Sequence, residues 1–166
     1  MTLISKGCVK TPENLDYTKG CLRNRLGNIT AGRGNGADNR QRTLTGLGAK
    51  VTCYIPNRLG EGYGMSVAAV DQLAADGVSL IITVDTGITA HAEIAHAASL
   101  GVDTVVTDHH ECHADIPVCC AVVNPHRPDC PYPFKELAGV GVVFKLICAC
   151  EATRMGISPA EALERM

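Results

Sequence analysis

The chain has 166 residues, of which 46% are hydrophobic and 4% aromatic, so it can bury one core built mainly from Val, Ile, Leu and Ala. A formal net charge of −2 argues against a broadly basic nucleic-acid-binding surface, although it is compatible with a local basic groove. The sequence has no N-terminal apolar segment and no apolar run of transmembrane length, which predicts a soluble cytoplasmic protein without a membrane partner.

Residues 1–47 do not show the pattern of a folded segment. They are rich in Gly, Asn and Arg and have no apolar period, so we predict that they are irregular or disordered and do not belong to the fold. A regular alternation of apolar runs and glycine-containing turns begins at Gly48. We therefore predict a single folded domain over residues 48–166.

The first regular stretch is a strand, a glycine-rich loop and a helix. Residues 51–55 form the predicted strand, and Ser66 is the predicted cap of a helix over residues 66–76. The loop glycines are spaced Gly-x-Gly-x-Gly, which departs from the Gly-x-Gly-x-x-Gly of dinucleotide-binding proteins and disfavours that alternative. Arg58 in this loop is a candidate contact for a nucleic-acid phosphate; a surface salt bridge is an equally simple alternative.

The central stretch is a strand, a helix and a second strand, with polar residues directly after each strand. Residues 80–84 and 104–107 are the predicted strands, and the helix between them, capped by Thr89, ends near Gly101. Two parallel strands joined in this way lie in one sheet with their carboxyl ends at the same edge, where open α/β sheets bind ligands. Asp85 should therefore meet the sequence Asp108-His109-His110 there, a combination suited to a divalent metal such as manganese. The alternative is that the acids are turn residues and the histidines are solvated.

The remainder continues the α/β pattern. A fourth strand over 120–123 is followed by a proline-rich loop and by a helix over 136–151 that opens with two glycines, for which close packing is the expected reason. Ser158-Pro159 begins a last helix. The predicted fold class is α/β, an open and mostly parallel sheet of about four strands with helices on both faces. A zinc site is a weaker alternative that lacks paired C-x-x-C spacing; its ligands would be Cys112, His113, His126 and Cys130.

Two of these segments resemble motifs of a known family. VDTGITAHAEI and VTDHH are similar to the second and third motifs of the DHH phosphoesterase family, and YIPNRLGEGYGMS and NPHRPDCPYPFKELAGVG resemble its branch of single-strand-specific exonucleases. The resemblance implies a site for two Mn²⁺ or Mg²⁺ ions and hydrolysis of single-stranded DNA from the 5′ end. It implies these roles: Asp85 and His109 as metal ligands, His110 near the scissile phosphate, and Asp108 as its support.

The chain also departs from the family pattern. The acidic first motif is missing upstream of the IPNR segment, and the aspartate of the fourth motif would fall beyond Met166. We therefore expect a fragment, with a truncated or frame-shifted start, that is weak or inactive by itself. Two alternatives stay open, namely a catalytically dead α/β module that binds nucleic acid or protein, and a manganese-dependent phosphatase acting on small phosphates.

Overall fold

Five parallel strands form one sheet in the part of the chain that the structure describes. The computed structural model describes residues 28–31, 45, 50–54, 64–113 and 115–165. In chain order the strands are β1 (Asn28–Ala31), β2 (Lys50–Cys53), β3 (Val78–Ile82), β4 (Asp103–Thr107) and β5 (Ala121–Val123). Their order across the sheet is β2-β1-β3-β4-β5, and every neighbouring pair is parallel. The open α/β architecture and the adjacency of β3 and β4 confirm the sequence prediction.

Two helices cover one face of the sheet. Helix α1 (Val67–Ala75) follows β2 and helix α2 (His91–Ser99) joins β3 to β4. Ser66 caps α1, as predicted, by accepting a hydrogen bond from the backbone N–H of Ala69 at 3.2 Å. Buried aliphatic side chains from both helices and from β3 form the largest core cluster; its members are Val70, Leu73, Val78, Ile81, Ala97 and Val102.

The opposite face of the sheet is contacted by helix α3 (Gly139–Met155), which α4 (Pro159–Glu164) follows. Val84 packs there against Val143 and Ile147 of α3. Leu80 and Ile82, which precede Val84 at intervals of two residues, lie on the same face of the sheet. Helices therefore lie on both faces, as predicted. Ser158 and Glu161 form the capping box that begins α4. Within the described part of the chain, no helix is both long and apolar enough to cross a bilayer.

Strand β1 lies where the sequence indicates irregular chain. It pairs with β2 on one side and with β3 on the other, so residues 28–31 belong to the sheet and raise its strands from about four to five. The rest of the segment 1–47, apart from Thr45, lies outside the described residues, where the prediction stays a prediction.

Three helix boundaries also differ from the sequence prediction. Helix α2 has Ala90 as its N-cap, without a side-chain hydrogen bond, so the prediction that Thr89 caps it is wrong. Helix α3 begins at Gly139, three residues later than expected, and continues to Met155. The late start of α3 places a glycine in its first turn, at the edge of the sheet where the candidate site lies.

Candidate metal centre

Hydrogen bonds between β4 and the residues that follow β3 hold the two site-bearing segments side by side. The backbone N–H of Asp85 donates to the carbonyl of Thr107 at 3.0 Å, and the N–H of Thr83 donates to Val105 at 2.9 Å. The buried hydroxyl of Thr107 donates in turn to the carbonyl of Thr83. These bonds continue the pairing of the parallel strands and place Asp85 next to the residues that follow β4.

The carboxylate of Asp85 meets the imidazole of His109 at this edge. Nε2 of His109 lies 2.8 Å from Oδ1 of Asp85, which confirms the prediction that the two residues converge. The contact lacks hydrogen-bond geometry, and Oδ1 is buried without a hydrogen-bond donor among the described residues. Asp85 also has a left-handed backbone, with φ at 60°. A buried carboxylate oxygen without a donor, beside an imidazole nitrogen, is the arrangement that a shared cation would satisfy.

Asp108 lies beneath the histidine pair and does not face the open site. Its side chain is 1% exposed and accepts hydrogen bonds from the backbone N–H groups of Ile88, His109 and His110 at 3.0, 2.8 and 3.2 Å. Its Oδ1 also lies 2.6 Å from Nδ1 of His110. Because a carboxylate can only accept, the attractive contact requires a proton on Nδ1, which leaves Nε2 of a neutral His110 as the free lone pair.

Three side chains can share an ion. One ligand atom each of Asp85, His109 and His110 lies within 4.8 Å of the others. Two imidazoles and a carboxylate are suitable ligands for a divalent transition metal, Mn²⁺ included, so the residues fit the ion that the sequence predicts. Among the described residues, this is the only group of three His, Cys, Asp or Glu side chains whose ligand atoms lie close enough together to hold one ion. The four residues of the alternative zinc site do not form such a group within the described part of the chain.

Two further residues contact the site segments. Asn124, fully buried directly after β5, donates through its side-chain amide to the carbonyl of His110 at 2.9 Å and accepts from the N–H of His126 at 2.8 Å. Sequence reasoning missed Asn124, although its position after a parallel strand places it at the same sheet edge. Gly139, in the first turn of α3, lies directly against the side chain of Asp85.

Gly141, the second glycine near the start of α3, has a different neighbour. A Cβ atom at position 141 would meet the side chain of Leu137, so close packing explains Gly141 as expected. The remaining candidate residue, Arg58, lies outside the described residues.

Both the sequence and the site identify the class of protein. The sequence profile of the DHH family, N-terminal domain, matches residues 24–165. This match covers most of the chain, including the three clustered ligand residues, and the chain therefore belongs to the DHH family.

The relatives that the chain resembles are exonucleases named RecJ. The single-stranded-DNA-specific exonuclease RecJ of Bacillus subtilis (strain 168) is 50% identical over 122 residues, which are 74% of this chain and 15% of that protein. The protein of the same name from Escherichia coli (strain K12) is 50% identical over 101 residues, 61% of this chain and 18% of that protein. The chain thus spans less than a fifth of the length of these two curated relatives.

Solved structures agree with the sequence matches. A crystal structure of exonuclease RecJ bound to manganese superposes with a TM-score of 0.76 and 33% identity, covering 96% of this chain and 41% of that chain. RecJ from Thermus thermophilus in complex with Mn²⁺ has a TM-score of 0.67 and 30% identity, covering 89% and 21%. At these identities the likeness extends from the fold to the family.

Proposed function

We propose that this chain is part of a RecJ-like, metal-dependent exonuclease that hydrolyses phosphodiester bonds of single-stranded DNA from the 5′ end. The observation that supports the proposal best is the 2.8 Å approach of Asp85 Oδ1, which has no hydrogen-bond donor among the described residues, to His109 Nε2. The relatives supply the substrate class, because their name specifies single-stranded DNA and two RecJ structures contain manganese. The cytoplasm is the location we propose with this activity.

Each site residue has a proposed role. Asp85 and His109 are the metal ligands, with Mn²⁺ preferred over Mg²⁺ because imidazole nitrogen is a poor ligand for magnesium. When bound, divalent ions activate a water molecule and stabilise the leaving oxygen of a phosphodiester. His110 approaches the scissile phosphate with its Nε2, which Asp108 orients by holding Nδ1 at 2.6 Å. Arg58 is proposed to contact a phosphate of the DNA backbone.

The same ligand set predicts that the chain binds metal weakly and cleaves poorly by itself. The described residues supply one carboxylate and two imidazoles, whereas a pair of divalent ions needs more anionic ligands to offset its charge. The neighbouring strand β1 ends at Ala31, and the next residues in the sequence are Gly32 and Arg33, neither of which is an anionic ligand. We therefore expect no processive digestion of DNA by the chain as it stands.

Titration of the purified chain with Mn²⁺ by isothermal calorimetry tests the metal site. We expect weak binding that D85A and H109A each abolish, whereas H113A, an exposed histidine four residues along the chain, leaves it unchanged. Binding that survives both D85A and H109A would refute the proposed site. Incubation with Mn²⁺ and 3′-labelled single-stranded DNA tests the activity, and robust shortening from the 5′ end would show that we have missed a ligand.

A second candidate function is supported by the same shortage of anionic ligands. In this alternative the sheet persists as a catalytically dead α/β module that binds single-stranded DNA or a protein. DNA binding that is independent of Mn²⁺ and unaffected by D85A would favour the module. Binding that requires both Mn²⁺ and Asp85 would favour the nuclease.

A further inference from the structure

Helix α3 approaches the metal centre more closely than any side chain at its first position would allow. Gly139 is buried, and a Cβ atom added to it would lie 2.5 Å from Oδ1, 2.8 Å from Cβ and 2.9 Å from Cγ of Asp85. Contacts of that length between non-bonded atoms are strongly repulsive, so an alanine here requires a movement. The neighbour that Gly139 accommodates is a proposed metal ligand.

Rotation of the Asp85 side chain would not relieve this contact. The Cβ of Asp85 is itself within 2.8 Å of the added atom, and a Cβ position is fixed by the backbone. The backbone at Asp85 is constrained in turn, because its φ is 60° and its N–H donates to Thr107 at 3.0 Å. Either the start of α3 or the loop after β3 would have to shift, and a shift of the loop would move Asp85 relative to His109.

We propose that Gly139 is a positioning residue of the metal centre, where the backbone of α3 forms the wall that fixes the Asp85 carboxylate beside His109. This inference rests on the proposed metal site and adds a residue to it that holds no metal itself. It assigns a role in the site to a glycine that the sequence alone attributes to packing. The prediction is that a single methyl group at position 139 weakens metal binding through Asp85.

Gly141 provides the matched control. It lies two residues further along the same helix, and a Cβ atom there would meet Cδ1 of Leu137 at 2.7 Å and its Cγ at 3.0 Å. These atoms belong to a flexible, half-buried side chain that can rotate away. Both Gly→Ala changes raise helix propensity similarly, so a difference between them reports the surroundings of Gly139.

The first readout is Mn²⁺ affinity of the full 166-residue chain by isothermal calorimetry. G139A should weaken binding by about tenfold or more, as changes that disorient a metal ligand do, while G141A should stay within about twofold. If G139A binds Mn²⁺ as tightly as the unmodified chain, the proposed role of Gly139 is refuted, while the proposed metal site is unaffected. Failure of the unmodified chain to bind Mn²⁺ would instead refute the proposed metal site, and the role of Gly139 with it.

The second readout is thermal stability without metal, which tests the contact itself. D85G removes all three Asp85 atoms that the added methyl group would meet, and glycine tolerates the φ of 60° at that position. G139A should lower the melting temperature by several degrees in the unmodified chain and leave it unchanged or slightly raised in the D85G background, where only the gain in helix propensity remains. Should G139A fail to fold, D85G/G139A should restore folding. A loss of the same size in both backgrounds would overturn the inference.

Discussion

The substitution of Asp108, the buried carboxylate beneath His109 and His110, tests how the site is held together. D108N keeps the shape of the side chain and removes its charge. In the native chain Oδ1 accepts from the N–H groups of His109 and His110 and from Nδ1 of His110, while Oδ2 accepts from the N–H of Ile88. An asparagine has one acceptor oxygen, so its NH₂ group must face at least one of these donors.

The least costly orientation of the asparagine keeps its oxygen at the Oδ1 position and turns its NH₂ group toward Ile88. One hydrogen bond to a charged acceptor is then lost inside a side chain that is 1% exposed. Such a loss costs about 1.5–3 kcal/mol. At about 2–4 °C per kcal/mol for a chain of this size, we expect the melting temperature to fall by about 3–12 °C.

Far-ultraviolet circular dichroism is the suitable assay, because the chain contains no tryptophan to report unfolding by fluorescence. D115N is the control, since the side chain of Asp115 is 76% exposed and lies 3.6 Å from His91. Its effect should stay within about 0.5 kcal/mol. D108N should also weaken Mn²⁺ binding, by about tenfold, because Nδ1 of His110 then donates to a neutral amide oxygen instead of a carboxylate and its Nε2 becomes a weaker ligand. Equal stability of D108N and the native chain would refute the assigned role of Asp108.

Two more predictions concern residues near β5. N124A should lower the free energy of unfolding by about 2–4 kcal/mol, because it leaves the carbonyl of His110 and the N–H of His126 without their partner; a loss below about 0.5 kcal/mol in urea denaturation would contradict this. Burial raises the pKa of the Cys119 thiol to about 11, so about one molecule in a thousand is ionised there at pH 8. Iodoacetamide should therefore modify exposed Cys53 well before Cys119, and comparable rates in peptide mass spectrometry would contradict the assignment.

The part of the site that the sequence predicts is the part that strand geometry determines. Asp85 and His109 follow consecutive parallel strands, and a right-handed crossover places the ends of such strands at one edge. The same rule applies to Asn124 after β5, but the proline-rich sequence that begins there predicts only a surface loop. The contact between Gly139 and Asp85 depends on where α3 packs, which no local pattern specifies.

Strand β1 is an element of the fold that the sequence does not predict. Asn28–Ala31 has four residues and the sequence NITA, in which only Ile29 has a large apolar side chain. Its polar–apolar alternation covers only four residues and is too short to distinguish the segment from a loop. It is a strand because β2 and β3 flank it and satisfy its backbone hydrogen bonds on both sides. The partners that determine its conformation are distant in sequence, so composition alone indicates irregular chain.

X-ray diffraction at the manganese absorption edge, from crystals of the chain grown with Mn²⁺, tests the central claim most directly. We predict an anomalous peak between Asp85 and His109, at about 2.0–2.3 Å from a carboxylate oxygen and from Nε2, the range for such ligands. A peak that contacts neither residue, or ordered Asp85 and His109 side chains without a peak at saturating Mn²⁺, would contradict it.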